Sequence, residues 1–243
     1  MHKIAAVIVN YRSDKELKPL LKSLTREQKS SKKTKLKIIV IDNGTGKNRG
    51  FAAGANIGIR QALEENFEAV MLLNPDTVIT DGFIDKLLIS NADVIAPVIR
   101  FKRQGKWIFD CGGKVGWWGR TRHLERNPST TLRTGNETID YVSGCCMLIK
   151  KRVLEKIGML DERFFLYFED VDFCLRAKKA GFRVAVEPKA LIIHNIKEGA
   201  DKPLSQKLMH LKSNFLFINK WIPWYKRPVG YLYCLMLLIK ISL

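Results

Sequence analysis

The 243-residue sequence predicts an α/β fold: a mostly parallel central sheet flanked by helices, followed by a C-terminal amphipathic helical tail. Short apolar runs without polar alternation recur in the first part of the chain, as strands buried on both faces do. Segments of helical period separate them. Each run ends in residues that favour turns. Strands alternating with helices through short loops argue for a parallel sheet covered by helices.

The first strand is KIAAVIVNY, with its apolar run from Ile4 to Val9. Ser13 or Asp14 caps a helix running through Leu24, with Leu17, Leu20, Leu21 and Leu24 inward. Pro19 lies inside that pattern and predicts an irregular first turn. LKIIVIDNG is a second strand ending in turn-forming Asp42-Asn43-Gly44. A glycine-punctuated loop leads into a helix that runs to about Asn66. EAVMLLNPD is a third strand, broken where Pro75 forbids further central pairing. Asp81 is placed to cap a helix from Gly82 to Ile89, and ADVIAPVI is a fourth strand.

Residues Arg100 to Asp140 are rich in Gly, Arg, Trp and Thr and read as hairpins with a mobile loop over Gly119 to Gly135. YVSGCCMLIK is a further strand, and Lys151 to Ile157 a short helix ended by Gly158. RVAVEP and ALIIHN read as two short strands. Beyond residue 200 the chain reads as a separate tail, 201–243. Leu208, Leu211, Phe215 and Ile218 have helical spacing, and Trp221, Trp224 and Tyr225 stand among Lys220, Lys226 and Arg227. The last apolar run, Val229 to Leu243, is shorter than the roughly 20 residues of a membrane span. Trp, Tyr and Lys beside an apolar helix mark a membrane interface. The same helix could instead pack on the domain or on a partner.

The formal charge of +18 predicts attraction to something anionic: nucleic acid, an anionic membrane surface or phosphorylated substrates. The five cysteines include no C-x-x-C pair, which fits neither a zinc site nor a disulfide framework and suits a reducing compartment. The N-terminal apolar run is short and ends at polar Asn10, unlike a signal peptide.

The most informative stretch is FFLYFEDVDFCLRAKKAGFR, Phe164 to Arg183. Phe173, Ala177 and Ala180 make one apolar helical face, and Gly181 stops the helix. Glu169, Asp170 and Asp172 therefore sit in its first turn, beside an aromatic-lined hollow. Acids there commonly do no more than cap free N–H groups. Ligands of an open parallel sheet bind at the carboxyl ends of its strands. Three such ends carry polar residues here: Asn10-Tyr11, Asp42-Asn43 and Asn74-Pro75-Asp76. A nucleotide across them could stack on Tyr11 and hydrogen-bond Asp42, with Gly50, Gly54 and Gly58 allowing close backbone approach. The glycines read G-x-G-x-x-x-G at Gly44, Gly46 and Gly50, so the Rossmann fingerprint is absent, as is a Walker A sequence.

VIVNYRS, VIDNGTGKNRGFAAGANIGI, MLLNPDTVI, YVSGCCMLIKKRVLEKIGMLDERFFLYFEDVDFCLRAKKAGFRV and ALIIHN follow in that order over roughly residues 3 to 196. Together they resemble a family 2 glycosyltransferase of the rhamnosyltransferase-like branch. The resemblance implies a GT-A fold over residues 1–200 and transfer of a sugar, with inversion, from a nucleoside-diphosphate donor. It places Asn10 and Tyr11 at the nucleotide edge, Asp42 and Asn43 near the base, and Asn48, Arg49, Gly50, Gly54 and Asn56 along the nucleotide loop. It sets Asn74 and Asp76 at the metal motif, usually Asp-x-Asp, and His194 where a residue can join the metal or the diphosphate. Asp170, second acid of the pair with Glu169, stands at the catalytic base. Asn74 replaces the first acid of the metal motif, which leaves less charge for Mg²⁺ or Mn²⁺.

The expected enzyme extends a cell-surface glycan, on a glycan or lipid-linked acceptor, at the cytoplasmic face of the membrane, with the tail in peripheral contact. Deoxythymidine-diphosphate rhamnose is the first donor to consider, on the branch resemblance. A sugar-nucleotide-forming nucleotidyltransferase would show a glycine-rich basic loop after the first strand, and VNYRSDKEL has no glycine. A nucleic-acid-binding module would need basic and aromatic residues on one face, and no helix-turn-helix, RRM or zinc-finger pattern is evident. A degenerate, non-catalytic scaffold has Asn74 as its one hint.

Overall fold

The computed structural model describes residues 1–31, 33–126, 138–196 and 203–242. The strands are β1 (His2–Asn10), β2 (Thr34–Asp42), β3 (Ala69–Leu73), β4 (Thr77–Ile79), β5 (Val94–Arg103), β6 (Lys106–Val115), β7 (Thr121–Arg126), β8 (Cys146–Lys150) and β9 (Val184–His194). The helices are α1 (Asp14–Ser30), α2 (Phe51–Glu64), α3 (Phe83–Leu87), α4 (Lys151–Ile157), α5 (Glu169–Lys179), α6 (Leu204–Trp221) and α7 (Arg227–Ser242).

One sheet runs through the molecule in the order β2-β1-β3-β8-β5-β6-β7, with β9 beside β5 and β4 beside β9. Its inner strands β1, β3 and β8 are buried on both faces, as their unbroken apolar runs require. On β1, Ala5, Val7 and Val9 enter the layer covered by α2, α4, α5 and α6. Ile4, Ala6 and Ile8 enter the layer covered by α1 and α3.

β1, β2 and β3 pair in parallel as the βαβ pattern predicts. The fourth strand of that pattern, β5, does not lie beside β3. β8 separates them and is antiparallel to both. The sheet is thus mixed, because its long-range pairings bring a later strand into the middle. RVAVEP and ALIIHN form one strand, β9, rather than two. Its parallel pairing with β5 shifts register between Pro97 and Val98, and residues 188–190 of β9 fall opposite that shift.

α1 continues past Leu24 to Ser30 because Glu27 is buried and structural. Its carboxylate accepts the N–H groups of Gly82 and Ile84 at 3.0 and 2.9 Å. The free N–H groups at the start of α3 are therefore satisfied from α1, not by Asp81. β7 occupies part of the span expected to be a mobile loop, and the rest of that span lies outside the described residues.

The expected tail divides into two unlike parts. α6 belongs to the core: Phe217 and Ile218 are fully buried, and Phe217 packs among the residues of α5. α7 docks through Gly230, where a Cβ would lie 2.8 Å from the Trp118 carbonyl oxygen. Its other side exposes Leu232, Leu235, Met236 and Ile239. Among the described residues no helix is long and apolar enough to cross a membrane.

Candidate active site

The acid pair opens α5 from a strained turn. Tyr167 and Phe168 both hold left-handed backbone, at φ 70° and 68°. Such conformations cost about 1–3 kcal/mol each for non-glycine residues, so the surroundings must enforce them. α6 supplies the enforcement. His210 packs against the rings of Tyr167 and Phe168, with centroids 5.3 and 5.4 Å away. Phe217 packs on Phe168 at 5.1 Å, and the Ser213 hydroxyl donates to the Leu166 carbonyl at 2.7 Å.

One turn further on, Asp172 is fully buried and anchors the same helix. It accepts from the Trp221 indole at 2.8 Å and pairs with Lys220 at 2.6 Å and Arg176 at 2.9 Å. Of the three acids at this helix start, Asp172 thus has the structural role that acids in a first turn usually have.

Glu169 and Asp170 line a cavity of about 270 Å³ together with Asn74, His194, Phe51, Gly144, Thr121, His123 and Tyr141. The Asp170 carboxylate accepts the N–H groups of Gly144 at 2.7 Å and Val171 at 2.8 Å. Gly144 lies so close that a Cβ there would meet the Asp170 Cβ at 3.2 Å. Glu169 is buried and its Oε2 has no hydrogen-bond partner. Burial raises the proton affinity of both acids, and the charge of Asp170 raises that of Glu169 further. The backbone donors to Asp170 offset part of its shift. The two environments therefore differ: the shift of Glu169 has no backbone donor from another residue to offset it, whereas the N–H groups of Gly144 and Val171 favour the charged form of Asp170. A partly accessible carboxylate at a cavity wall can take a proton from a bound hydroxyl.

Across the cavity, β3 ends in Asn74, whose N–H donates to the Cys145 carbonyl at 2.9 Å. β9 ends in His194, which pairs with Thr77 in register and brings its Nε2 to 3.2 Å from Oδ1 of Asp76. That oxygen is buried and has no hydrogen-bond partner. An orphaned carboxylate oxygen beside an imidazole nitrogen fits a divalent cation. Among the described residues no cluster of three His, Cys, Asp or Glu gathers, so these side chains would supply part of a coordination shell.

The residues expected at the nucleotide edge form a separate group. Asn10 and Asp42 are paired in register at the ends of β1 and β2. Tyr11, Arg12, Asp42 and Arg49 are exposed there, with the Arg12 guanidinium 5.5 Å from the centre of the Tyr11 ring. None of these lines the 270 Å³ cavity. Asp42 accepts from the N–H groups of Gly44 and Thr45 and from the Thr45 hydroxyl, and the Gly44 bond leads in holding its carboxyl below the usual range.

Several residues expected to meet the nucleotide build the frame. Asn10 bonds Asp14 and the Ser13 N–H, turning the chain into α1. Asn43 bonds Asn48, the Gly50 carbonyl and the Arg49 N–H, which shapes the loop from within. Asn56 is buried in bonds to Leu160 and Glu162. Gly54 and Gly58 serve helix packing: a Cβ on either would strike Val9 or Val7 of β1, at 2.8 and 2.4 Å. Gly50, at φ 84°, lets the loop meet the acid wall, because a Cβ there would lie 2.4 Å from the Phe165 carbonyl oxygen. That oxygen accepts the Phe51 N–H at 2.7 Å.

Thr121, His123, Tyr141 and His210 are among the cavity residues that sequence reasoning did not single out. Three lie on or beside strands without a clean period, and His210 lies on a helix read as tail. The alternation Thr121, His123 on one strand face was the available signal.

Residues 3–210 match the model of the family described as glycosyltransferase like family 2. A low-salt glycan biosynthesis hexosyltransferase of Haloferax volcanii is 31% identical over 216 residues, covering 79% of this chain and 67% of its own length. The N-acetylglucosaminyl-diphospho-decaprenol L-rhamnosyltransferase of Mycobacterium tuberculosis is 28% identical, covering 76% of this chain and 69% of its own. A dTDP-rhamnosyl transferase of Shigella flexneri is 28% identical, with 79% and 69% covered. Among solved structures, GalNAc-T7 with UDP, GalNAc and Mn²⁺ superposes with a TM-score of 0.65 at 13% identity, over 93% of this chain. The chain spans about half of that structure's length, 49%. The catalytic domain of Drosophila β1,4-galactosyltransferase 7 superposes with a TM-score of 0.54 at 14% identity, over 86% of this chain and 79% of its own. The architecture is thus the GT-A fold, and the match over most of the sequence decides the rest: the chain belongs to glycosyltransferase family 2.

Proposed function

We propose that this chain transfers a sugar, with inversion, from a nucleoside-diphosphate donor to a hydroxyl of a glycan or lipid-linked acceptor. The observation that carries the reading is Asp170, pinned by the Gly144 N–H, in one cavity with Asn74 and His194. The acceptor oxygen bonds to the anomeric carbon as the bond from that carbon to the phosphate oxygen breaks. The electron pair leaves with the diphosphate, and the acceptor proton passes to the Asp170 carboxylate. Glu169 stands beside it, its proton affinity raised chiefly by burial. Tyr11, Arg12 and Asp42 receive the nucleotide at the edge of β1 and β2. Asp76 and His194 would hold a divalent cation, Mg²⁺ or Mn²⁺, which when bound neutralises charge on the leaving diphosphate. The names of the bacterial relatives make rhamnose the first donor sugar to test.

Membrane contact is the second part of the proposal. The exposed side of α7 carries Leu232, Leu235, Met236 and Ile239, next to exposed Trp224 and Tyr225. Lys226 and the net charge of +18 favour an anionic lipid surface, by roughly 1 kcal/mol per well-placed cation. The enzyme would then work at the inner face of the cell membrane.

A panel of nucleotide-sugars, with dTDP-rhamnose included, tests donor choice by thermal stabilisation with and without Mn²⁺, followed by transfer assays. A protein stabilised by none of them is not a nucleotide-sugar enzyme. Sedimentation with phosphatidylglycerol and with phosphatidylcholine vesicles tests the tail. Leu232→Ser with Leu235→Ser should abolish binding to the anionic vesicles, and wild-type protein that stays in the supernatant with both would refute the membrane reading.

A further inference from the structure

His123 of β7 lines the cavity but has no part in the reaction described above. Its Nδ1 lies 2.8 Å from Oδ2 of Asp110 on β6. Asp110 is buried, and its Oδ1 accepts the Gly112 N–H at 3.0 Å. A carboxylate held on both oxygens in this way fixes the ring: the proton sits on Nδ1, and Nε2 is the polar atom left over. Tyr141 braces the ring edge-on, with centroids 5.5 Å apart. Tyr141 itself fits only because residue 113 is glycine, where a Cβ would lie 2.1 Å from its Cζ.

The position of β7 in the sheet says which substrate His123 meets. The order β2-β1-β3-β8-β5-β6-β7 puts β1 and β2, with the nucleotide edge, toward one end and β7 at the other. Asp170 lies in the cavity between them. In an in-line displacement the attacking oxygen comes from the side away from the leaving diphosphate. The wall at β7 is therefore the acceptor's wall. The turn of the same hairpin rests on the tail helices: Trp118 meets Tyr233 at 5.0 Å, and a Cβ on Gly119 would lie 2.9 Å from Ile218.

We propose that His123, oriented by Asp110, is an acceptor-binding residue whose Nε2 hydrogen-bonds a hydroxyl oxygen of the acceptor sugar and turns the neighbouring hydroxyl toward Asp170. The assignment rests on the transferase reading. Charges around the ring favour a donor at Nε2. Burial lowers its proton affinity, but the bond to Asp110 and the charges of Asp110, Asp170 on α5 and Glu125 on β7 outweigh that and raise it. Neighbouring Tyr141 stays a neutral phenol, its proton held chiefly by burial.

The test measures KM for donor and acceptor separately in the wild type, His123→Ala, His123→Gln and Asp110→Asn. The first pair to use is dTDP-rhamnose with an N-acetylglucosaminyl-diphospho-prenol of short chain. Turnover by the wild type tests the transferase reading; the ratio of variant to wild-type KM tests His123. Loss of a hydrogen bond from a charged donor predicts an acceptor KM raised about tenfold or more in His123→Ala, with donor KM within about twofold. His123→Gln should recover part of the loss, since an amide can still donate. Asp110→Asn should raise acceptor KM less than His123→Ala and move the ring's NMR titration to lower pH. An unchanged acceptor KM in His123→Ala overturns the assignment, as does a donor KM that rises by the same factor. His123 is exposed on its strand, so these two variants are expected to fold even if Asp110→Asn is destabilised.

Discussion

The nucleotide edge and the acid wall are built on opposite principles. At the edge, the conspicuous polar side chains of Asn43 and Asn56 are buried in bonds to the protein, and the groups left for a ligand, Tyr11, Arg12 and Asp42, stand in solvent. At the wall, Glu169 is buried and Asp170 half-buried on a strained turn, which α6 holds in place. An exposed edge can bind a charged nucleotide without desolvating its own residues in advance. A buried acid must be desolvated and constrained by the fold beforehand, as a catalytic acid or base requires. On the proposed function, the difference teaches that recognition and chemistry draw on different parts of the fold: local loop geometry for one, long-range packing for the other.

Four variants break or sharpen that contrast. The largest effect is expected from Asp170→Asn. It should leave donor binding within about twofold and lower kcat by about 10²–10⁴-fold, the range for removing a general base. Wild-type turnover in this variant would move the chemistry elsewhere.

Gly50→Ala attacks the joint between the two regions. Its Cβ would press on the Phe165 carbonyl from a left-handed backbone. Loss of about 1–3 kcal/mol of stability is expected, read by denaturant unfolding, together with reduced kcat. A variant as stable as the wild type would show that edge and wall move independently.

Glu169→Gln probes the buried proton. Folding raises this carboxyl well above its ordinary value of 4.5, chiefly by burial. The stability it contributes is therefore complete below about pH 4.5 and is lost as pH rises through the folded value. The glutamine variant should match the wild type in acid and become the more stable of the two as pH rises. A variant less stable at pH 8 would mean that Glu169 is ionised and paired.

The smallest effect is expected at the edge. Asp42→Asn should raise donor KM several-fold and leave kcat and unfolding nearly unchanged, as exposed sites usually do. A large fall in kcat would show that the edge takes part in the chemistry after all.

By itself, the sequence determined the features that local pattern carries. Ile4 to Val9 form a buried strand, and Phe173 and Ala177 lie on the buried face of a helix that Glu169 and Asp170 start, although Ala180, expected on the same face, is its exposed C-cap. The ordered motifs carried the family in the same way. Tertiary structure alone decided the placement of β8 between β3 and β5, the use of Gly54 and Gly58 against β1, the core position of α6 and the meeting of His123 with Asp110. The physical reason is range. Periodicity and capping act over a few residues and leave their mark there, whereas sheet order, close backbone approach and buried charge pairs such as Asp172–Lys220 join distant segments. Such contacts follow from how all the faces pack together, and no short stretch of sequence records them.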